Sequence, residues 1–307
     1  MKSFTQQLLN GIFIGSIYAL FALGYTLVFG VLDVLNLAHS AVFMFGAVVA
    51  YSLVALHGWS FWAAAPAAIV VAGLLGLVIE HVALRPLRRR NAPPLAAMIT
   101  TIALALMLVA LVEQARPGGA LAWLWRDGAN SVKFPAHTVP NATYHVGGIT
   151  LQASKLAILV ISIVLMSALG YVVRRTSVGR SLRAVAENAR AARLLGVNVD
   201  RVVTRTLVAS SALAGLAGIL FGMALSDISP YIGRDQVELR GLAVIVLGGM
   251  GSITGTIVGG YVLGIVEVMA LLAFGTNVRA GVAFLALFLM LVLRPQGLLG
   301  GGTVERV

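Results

Sequence analysis

The sequence predicts an all-α fold: a polytopic transmembrane helical bundle of about eight to ten membrane segments, some of them broken or half-length. Three observations predict it. Of the 307 residues, 59% are hydrophobic and only 11% are charged, where an ordinary soluble domain carries roughly a quarter. So few charges cannot clothe a water-exposed surface. The apolar residues stand in continuous runs, and not in the alternating strands of about ten residues that build a membrane barrel. The formal charge of +11 is nearly all arginine, with lysine only at Lys2, Lys133 and Lys155, and the arginines gather between the runs. That placement is the positive-inside signature of cytoplasmic loops. Nucleic-acid binding would need a basic patch with aromatic platforms on a soluble face, so the expected partner is the lipid bilayer and no nucleic acid. The absence of cysteine excludes disulfides, thiolate catalysis and Cys-ligated metals.

A helix needs about 20 apolar residues to cross a bilayer. The runs 8–31, 34–56, 61–84, 95–112, 156–173, 202–225 and 278–293 meet or approach that length. The first is too long for the core of a signal peptide and no small-residue cleavage site follows it, so it is expected to stay as a span. Arg85, Arg88, Arg89 and Arg90 mark one cytoplasmic loop, and residues 174–201 mark another. Between them the loop 113–154 falls on the outer face, with Trp123 and Trp125 as interfacial aromatics and a small hairpin over Gly147-Gly148. Loop 226–240 is balanced in charge, with Asp227, Asp235 and Glu238 beside Arg234 and Arg240, and parity puts it outside. Arg294 then places the C-terminal side in the cytoplasm. The stretch 241–272 must therefore cross zero times or twice, and either two short half-helices meeting around "GGMGSITG" (248–255) or a re-entrant hairpin followed by a further irregularity satisfies that.

A second interruption lies in "FGVLDVLNLAHSAVFMFGA" (29–47). Asp33, Asn36 and Ser40 stand at i, i+3 and i+7, so on a continuous helix they share one face, with His39 beside Ser40. Polar groups inside a membrane are expensive and tend to face a pore or a partner. Two readings stand for Asn36, His39 and Ser40: they line or gate a substrate path, or they bond a neighbouring helix. One histidine with a carboxylate and an amide offers too few ligands for a metal, and nothing in the chain calls for a cofactor. In "GLAVIVLGGMGSITGTIVGGYVLGIVE" (241–267), Gly255 and Gly259, and again Gly260 and Gly264, have the spacing that lets helices approach closely. Gly218 and Gly222 repeat it in 209–225. Packing accounts for these six. Gly248, Gly249, Gly251 and Ser252 form a turn and are assigned to the path, where irregular backbone is tolerated. No lysine completes a phosphate-binding loop there. Glu80, His81 and Glu267 read as snorkelling or capping groups at span ends.

"RAVAENARAARLLG" (183–196) is polar in an apolar chain. Asn188 is placed as an N-cap and Gly196 as the residue after the last turn, which predicts a short helix over 189–195. A basic loop on headgroups explains the arginines but not the caps or the Leu194-Leu195-Gly196 end. A short amphipathic helix offered to the cytosol suits a groove on another protein.

Residues 11–47, 179–202, 244–267 and 294–300 together resemble the LivH-type permeases of branched-chain amino acid ABC importers. The resemblance runs over essentially the whole chain, with Ser40 where members commonly carry glycine. It implies one membrane permease domain over 1–307 in the bacterial cytoplasmic (inner) membrane, with no catalytic residue of its own. It implies a LivM-like second permease subunit, two cytoplasmic ATP-binding subunits and a periplasmic substrate-binding protein. It makes 179–202 the loop that docks on the ATPase, with Glu187, Ala191, Leu195 and Gly196 as contact positions. Arg183, Asn188 and Leu194 join them from the residue reading. The rival is a proton-coupled secondary transporter or channel for a small polar solute, using Asp33 and His39. A membrane-embedded enzyme would need a convergent nucleophile and base, and five scattered histidines without cysteine offer little.

Overall fold

The computed structural model describes residues 2–135, 138, 142–146, 149–275 and 279–299. The helices are α1 (Lys2–Leu32), α2 (His39–Tyr51), α3 (Phe61–Ile79), α4 (Arg85–Arg89), α5 (Pro94–Glu113), α6 (Ala153–Arg175), α7 (Ser177–Glu187), α8 (Ala189–Leu194), α9 (Val199–Leu225), α10 (Leu239–Gly248), α11 (Ile253–Phe274) and α12 (Arg279–Leu293). Three π-helical stretches, Ser52–Leu56, Glu80–Leu84 and Ile232–Glu238, prolong α2, prolong α3 and lead into α10. A hairpin of β1 (Thr143–Val146) and β2 (Ile149–Gln152) precedes α6, with Val146 opposite Ile149. The hairpin lies where the sequence predicts it; its turn, residues 147 and 148, is outside the described residues.

Among the described residues seven helices are long and apolar enough to cross a membrane, and 281–293 is a shorter apolar helix. The chain is a polytopic membrane bundle. Helices α1, α2 and α9 form its interior, where Tyr18, Phe21, Phe43, Leu207 and Phe221 are fully buried. Helices α5, α6 and α12 turn large apolar side chains outward, among them Ile99 and Met107, Val160 and Val164, Phe284 and Phe288. In water that surface would be a liability; in a bilayer it is the lipid-facing wall.

Lipid tails are as apolar as the helices, so packing at small residues has to hold the bundle together. Gly260 and Gly264 of α11 lie on Ala19 and Gly15 of α1, and Gly11 faces Ile265. Gly255 and Gly259 lie on Gly248 and Val244 of α10, which closes α10 and α11 into a hairpin. Gly218 rests on the backbone of Phe43 in α2, and Gly222 meets Ile228 and Phe134.

Three expectations are corrected. The span expected over 34–56 starts only at His39, because the chain leaves α1 at Asp33 with φ of 54° and residues 33–38 are not helical. Asp33, Asn36 and Ser40 therefore share no helical face. The stretch 241–272 is not a pair of half-helices: α10 has 10 residues and α11 has 22. Nor is 226–240 a plain loop. Its last part, Ile232–Glu238, is helical and runs straight into α10, with Ile232, Gly233 and Val237 buried.

Candidate functional site

Two regions carry the polar groups that sequence reading singled out. The first lies inside the bundle. The His39 ring stands between α1 and α9: Nε2 is 3.1 Å from the Phe21 carbonyl and Nδ1 is 3.3 Å from the Ser210 hydroxyl. A carbonyl only accepts, so Nε2 carries the proton. The rings of Tyr25 and Phe21 pack at 4.6 and 4.9 Å, and a methyl on Gly24 would overlap the imidazole. His39 is 1% exposed and is held by its neighbours on every side named here. Asn36 is buried in the break before α2; its main-chain carbonyl accepts from the His39 N–H at 3.1 Å, and its side-chain oxygen is buried without a partner among the described residues.

Ser40 points the other way. Its hydroxyl is 3.2 Å from the Leu37 carbonyl and 3.2 Å from Glu238 Oε2. Ser40, Glu238 and Arg234 line one small cavity with apolar groups from α2 and α5. Glu238 and Arg234, which sequence reading took as outer loop charges, are thus brought to Ser40. The signal that could have found them is a carboxylate and a guanidinium four residues apart, close before an apolar run.

Gly248, Gly249, Gly251 and Ser252 do not line that cavity. They make the α10–α11 turn, with Gly249 at φ 98° and Gly251 at φ 85°, backbone that glycine adopts without strain. The Ser252 hydroxyl caps α11 by accepting from the Gly255 N–H at 3.0 Å. Backbone from beyond α12 closes the turn: Leu298 N–H donates to the Leu247 carbonyl at 2.7 Å, and Gly297 packs on Gly249.

Glu80 and Glu267, expected to snorkel at span ends, are instead buried and ion-paired, while His81 stays exposed with its Nδ1 3.0 Å from Glu80 Oε2. Glu80 is fully buried and accepts from Arg88 at 3.1 Å, and Arg88 also donates to Asp200 at 2.7 Å. Glu267 accepts from Arg240 at 3.1 Å and from the Tyr18 hydroxyl at 3.3 Å, and both members of that pair are buried. Each pair ties helices together; a charge left unpaired there would be costly.

The second region is at the arginine-rich end. Thr176 caps α7, accepting from the Gly179 N–H at 3.2 Å. Gly179 lies on the carbonyls of Val172 and Val173, and the Arg183 guanidinium donates to the Val173 carbonyl, so α7 is folded back on the end of α6. Asn188 caps α8 as the sequence predicts, its Oδ1 accepting from the N–H groups of Arg190 and Ala191 at 3.0 Å each. Gly196, at φ 83°, ends it. Ala192 is buried beneath α8, while Leu194 and Leu195 are 90% and 83% exposed. Glu187, Arg190, Ala191 and Arg193 complete the exposed or half-exposed surface around them. Asn198 then caps α9, accepting from the Arg201 N–H at 3.0 Å, so α8 is joined directly to an interior helix.

The chain matches known proteins along its length. The profile of the family described as "Branched-chain amino acid transport system / permease component" matches residues 7–293. The permease protein LivH of the high-affinity branched-chain amino acid transport system of Escherichia coli (strain K12) is 35% identical, over 99% of this chain and 98% of that protein. The permease protein BraD of Pseudomonas aeruginosa is 34% identical over the same shares. Among solved structures, PsaBC from Streptococcus pneumoniae in complex with Fab has a TM-score of 0.54 at 12% identity, covering 95% of this chain and 92% of that one; this likeness is one of fold. With a profile match over most of its residues and full-length relatives at this identity, the chain belongs to the family of permease components of branched-chain amino acid transport systems.

Proposed function

We propose that this multi-pass inner-membrane subunit forms, with a LivM-like second permease subunit, the translocation path of an ATP-driven importer for branched-chain or related amino acids. Two cytoplasmic ATP-binding subunits supply the energy, and a periplasmic binding protein delivers the substrate. The observation that carries the reading is α8: a capped two-turn helix at the arginine-rich end that leaves Leu194 and Leu195 uncovered. Two leucines exposed to water on so short a helix are costly, and a groove on an ATPase would cover them.

The mechanism is alternating access. ATP binding draws the ATPases together and α7 and α8 move with them. Gly196 and the cap at Asn198 join α8 to α9, which packs against α1, α2 and α3. The Arg88–Asp200 bond joins the same point to α4, which continues α3 through the π stretch Glu80–Leu84. A displacement of α8 is thereby delivered to the interior helices, and the path changes sides. Arg183, Glu187, Asn188, Ala191, Leu194, Leu195 and Gly196 are the coupling positions; Asn36, His39 and Ser40 belong to the path or support it.

Replacing both Leu194 and Leu195 by Ser is expected to lower uptake and ATPase co-purification about tenfold or more, because each buried leucine contributes roughly 2 kcal/mol to an interface. Membrane insertion should be unchanged. Full ATPase association in the double variant would remove α8 from the coupling surface.

A further inference from the structure

The cavity that joins Ser40, Glu238 and Arg234 is set within the span of the helices. Ser40 follows His39, which bonds the carbonyl of Phe21, a residue in the middle of α1. Gly233 lies on the backbone of Ser40, closer than any side chain would permit, and this approach brings the π-helical stretch Ile232–Glu238 against the start of α2. Wide π turns recur at functional sites because they re-aim side chains. Here the stretch brings a half-buried carboxylate, Glu238, and a guanidinium at the exposed rim, Arg234, to one small space.

The two charges are not spent on each other. Glu238 Oε2 takes the Ser40 hydroxyl at 3.2 Å. Arg234 is ion-paired through its Nε with Asp235 at 3.0 Å, both side chains about half exposed, which uses one of the five donors a guanidinium has. The rest of the lining is apolar: Leu37 and Met44 beside α2's start, and Leu106 and Val109 from α5. One acid, one base, one hydroxyl and an aliphatic wall are the complement of an apolar amino acid in its zwitterionic form. The space measures about 50 Å³, room for a water or two and not for an amino acid. Leu106 of α5 is 48% exposed at its edge, so on that side the cavity opens out of this chain, and a larger site needs the second permease subunit there in place of lipid.

We propose that Glu238, Arg234 and Ser40 form this subunit's half of a substrate site inside the path, in which the carboxylate takes the α-ammonium of an amino acid and the guanidinium takes its α-carboxylate. The assignment rests on the reading of the chain as an amino-acid permease subunit. Selection for the zwitterion then happens within the membrane as well as at the binding protein.

The complete complex, reconstituted in vesicles with ATP inside and leucine-loaded binding protein outside, tests this. Glu238→Gln keeps the shape and the bond to Ser40 but removes the charge; Arg234→Gln removes the cation in a shorter side chain. Each is expected to lower leucine uptake about tenfold, the loss of one charge-assisted hydrogen bond, while ATP hydrolysis stimulated by the binding protein persists. Arg234→Lys is expected to recover most of the uptake. The exchanged pair Arg234→Glu with Glu238→Arg should stay impaired, since an ordered path presents the zwitterion in one orientation. Wild-type uptake in both single variants, or full recovery in the exchanged pair, overturns the proposal and leaves a structural pair. If Glu238→Gln does not assemble, the half-exposed Arg234 variants decide alone. If the unaltered complex takes up no branched-chain amino acid, the functional reading fails instead.

Discussion

Two of the breaks between successive helices, one between α10 and α11 and one between α1 and α2, are opposite in kind. Between α10 and α11 the turn at 249–252 is made of glycine and is filled with backbone: Gly248 lies on Gly255, Gly297 lies on Gly249, and the amides of Leu298 and Leu299 satisfy the last carbonyls of α10. Between α1 and α2, and in the π stretch that meets it, the break is polar and incompletely filled. Asn36 keeps a buried oxygen without a partner among the described residues, and Ser40, Glu238 and Arg234 face a cavity. Irregular backbone in a membrane must be either buried in protein or set along a path. The first break takes the former solution; the proposed substrate site gives the second the latter. Glycine content marks a place where chains approach; charge facing a space marks a place where a ligand fits.

The largest effect is expected at the element that links the two breaks. Helix α10 starts at the polar break, ends at the glycine turn, and is held by Arg240 to Glu267 of α11, which also takes the Tyr18 hydroxyl of α1. Arg240→Met leaves Glu267 buried without its cation and should cost about 3–5 kcal/mol, read as a fall in thermal unfolding temperature of the detergent-solubilised protein. Adding Glu267→Leu should recover much of it. No recovery in the double variant would mean that the pair carries more than mutual neutralisation.

A smaller loss is expected at the closed break. Gly248→Ala places a methyl inside the backbone of Gly255 and should cost about 1–3 kcal/mol by overpacking, with abundance in the membrane falling in step with unfolding temperature. Gly233→Ala meets the Ser40 backbone in the same way, but a cavity lies beside it. There uptake should fall more than stability does. Equal losses of both quantities in the two variants would erase the distinction drawn between the breaks.

The bundle was legible in the sequence because membrane helices declare themselves by length and apolarity alone. So were the caps of α8, since Asn188 and Gly196 act on their own neighbours. What stayed hidden is long-range. Helical phase from Asp33 to Ser40 is lost at a single residue with positive φ, which no periodicity announces in a residue other than glycine. The partners of Glu80, Glu267 and Ser40 lie 8, 27 and 198 residues away. A charge near the end of an apolar run reads alike whether it reaches water or a buried partner. Arg234 and Glu238 were hidden for the same reason: a balanced loop and a π-helical stretch packed on the start of α2 have the same composition.

The smallest effect is expected at Ser40, and it separates the two jobs that the polar break performs. Ser40→Ala removes one hydroxyl from a charged acceptor beside a space that water can enter, so the cost to stability should stay near about 0.5–1.5 kcal/mol. His39, one residue away, is enclosed between Phe21, Tyr25 and Ser210. His39→Leu should therefore cost stability more than Ser40→Ala does, by misfitting the closed space between Phe21, Tyr25 and Ser210 and removing the second bond to the Phe21 carbonyl. Uptake normalised to assembled complex should order them the other way, because Ser40 fixes the Glu238 carboxylate and His39 only fixes the helix. Should the normalised uptake of His39→Leu fall below that of Ser40→Ala, the path would pass the imidazole and not the carboxylate.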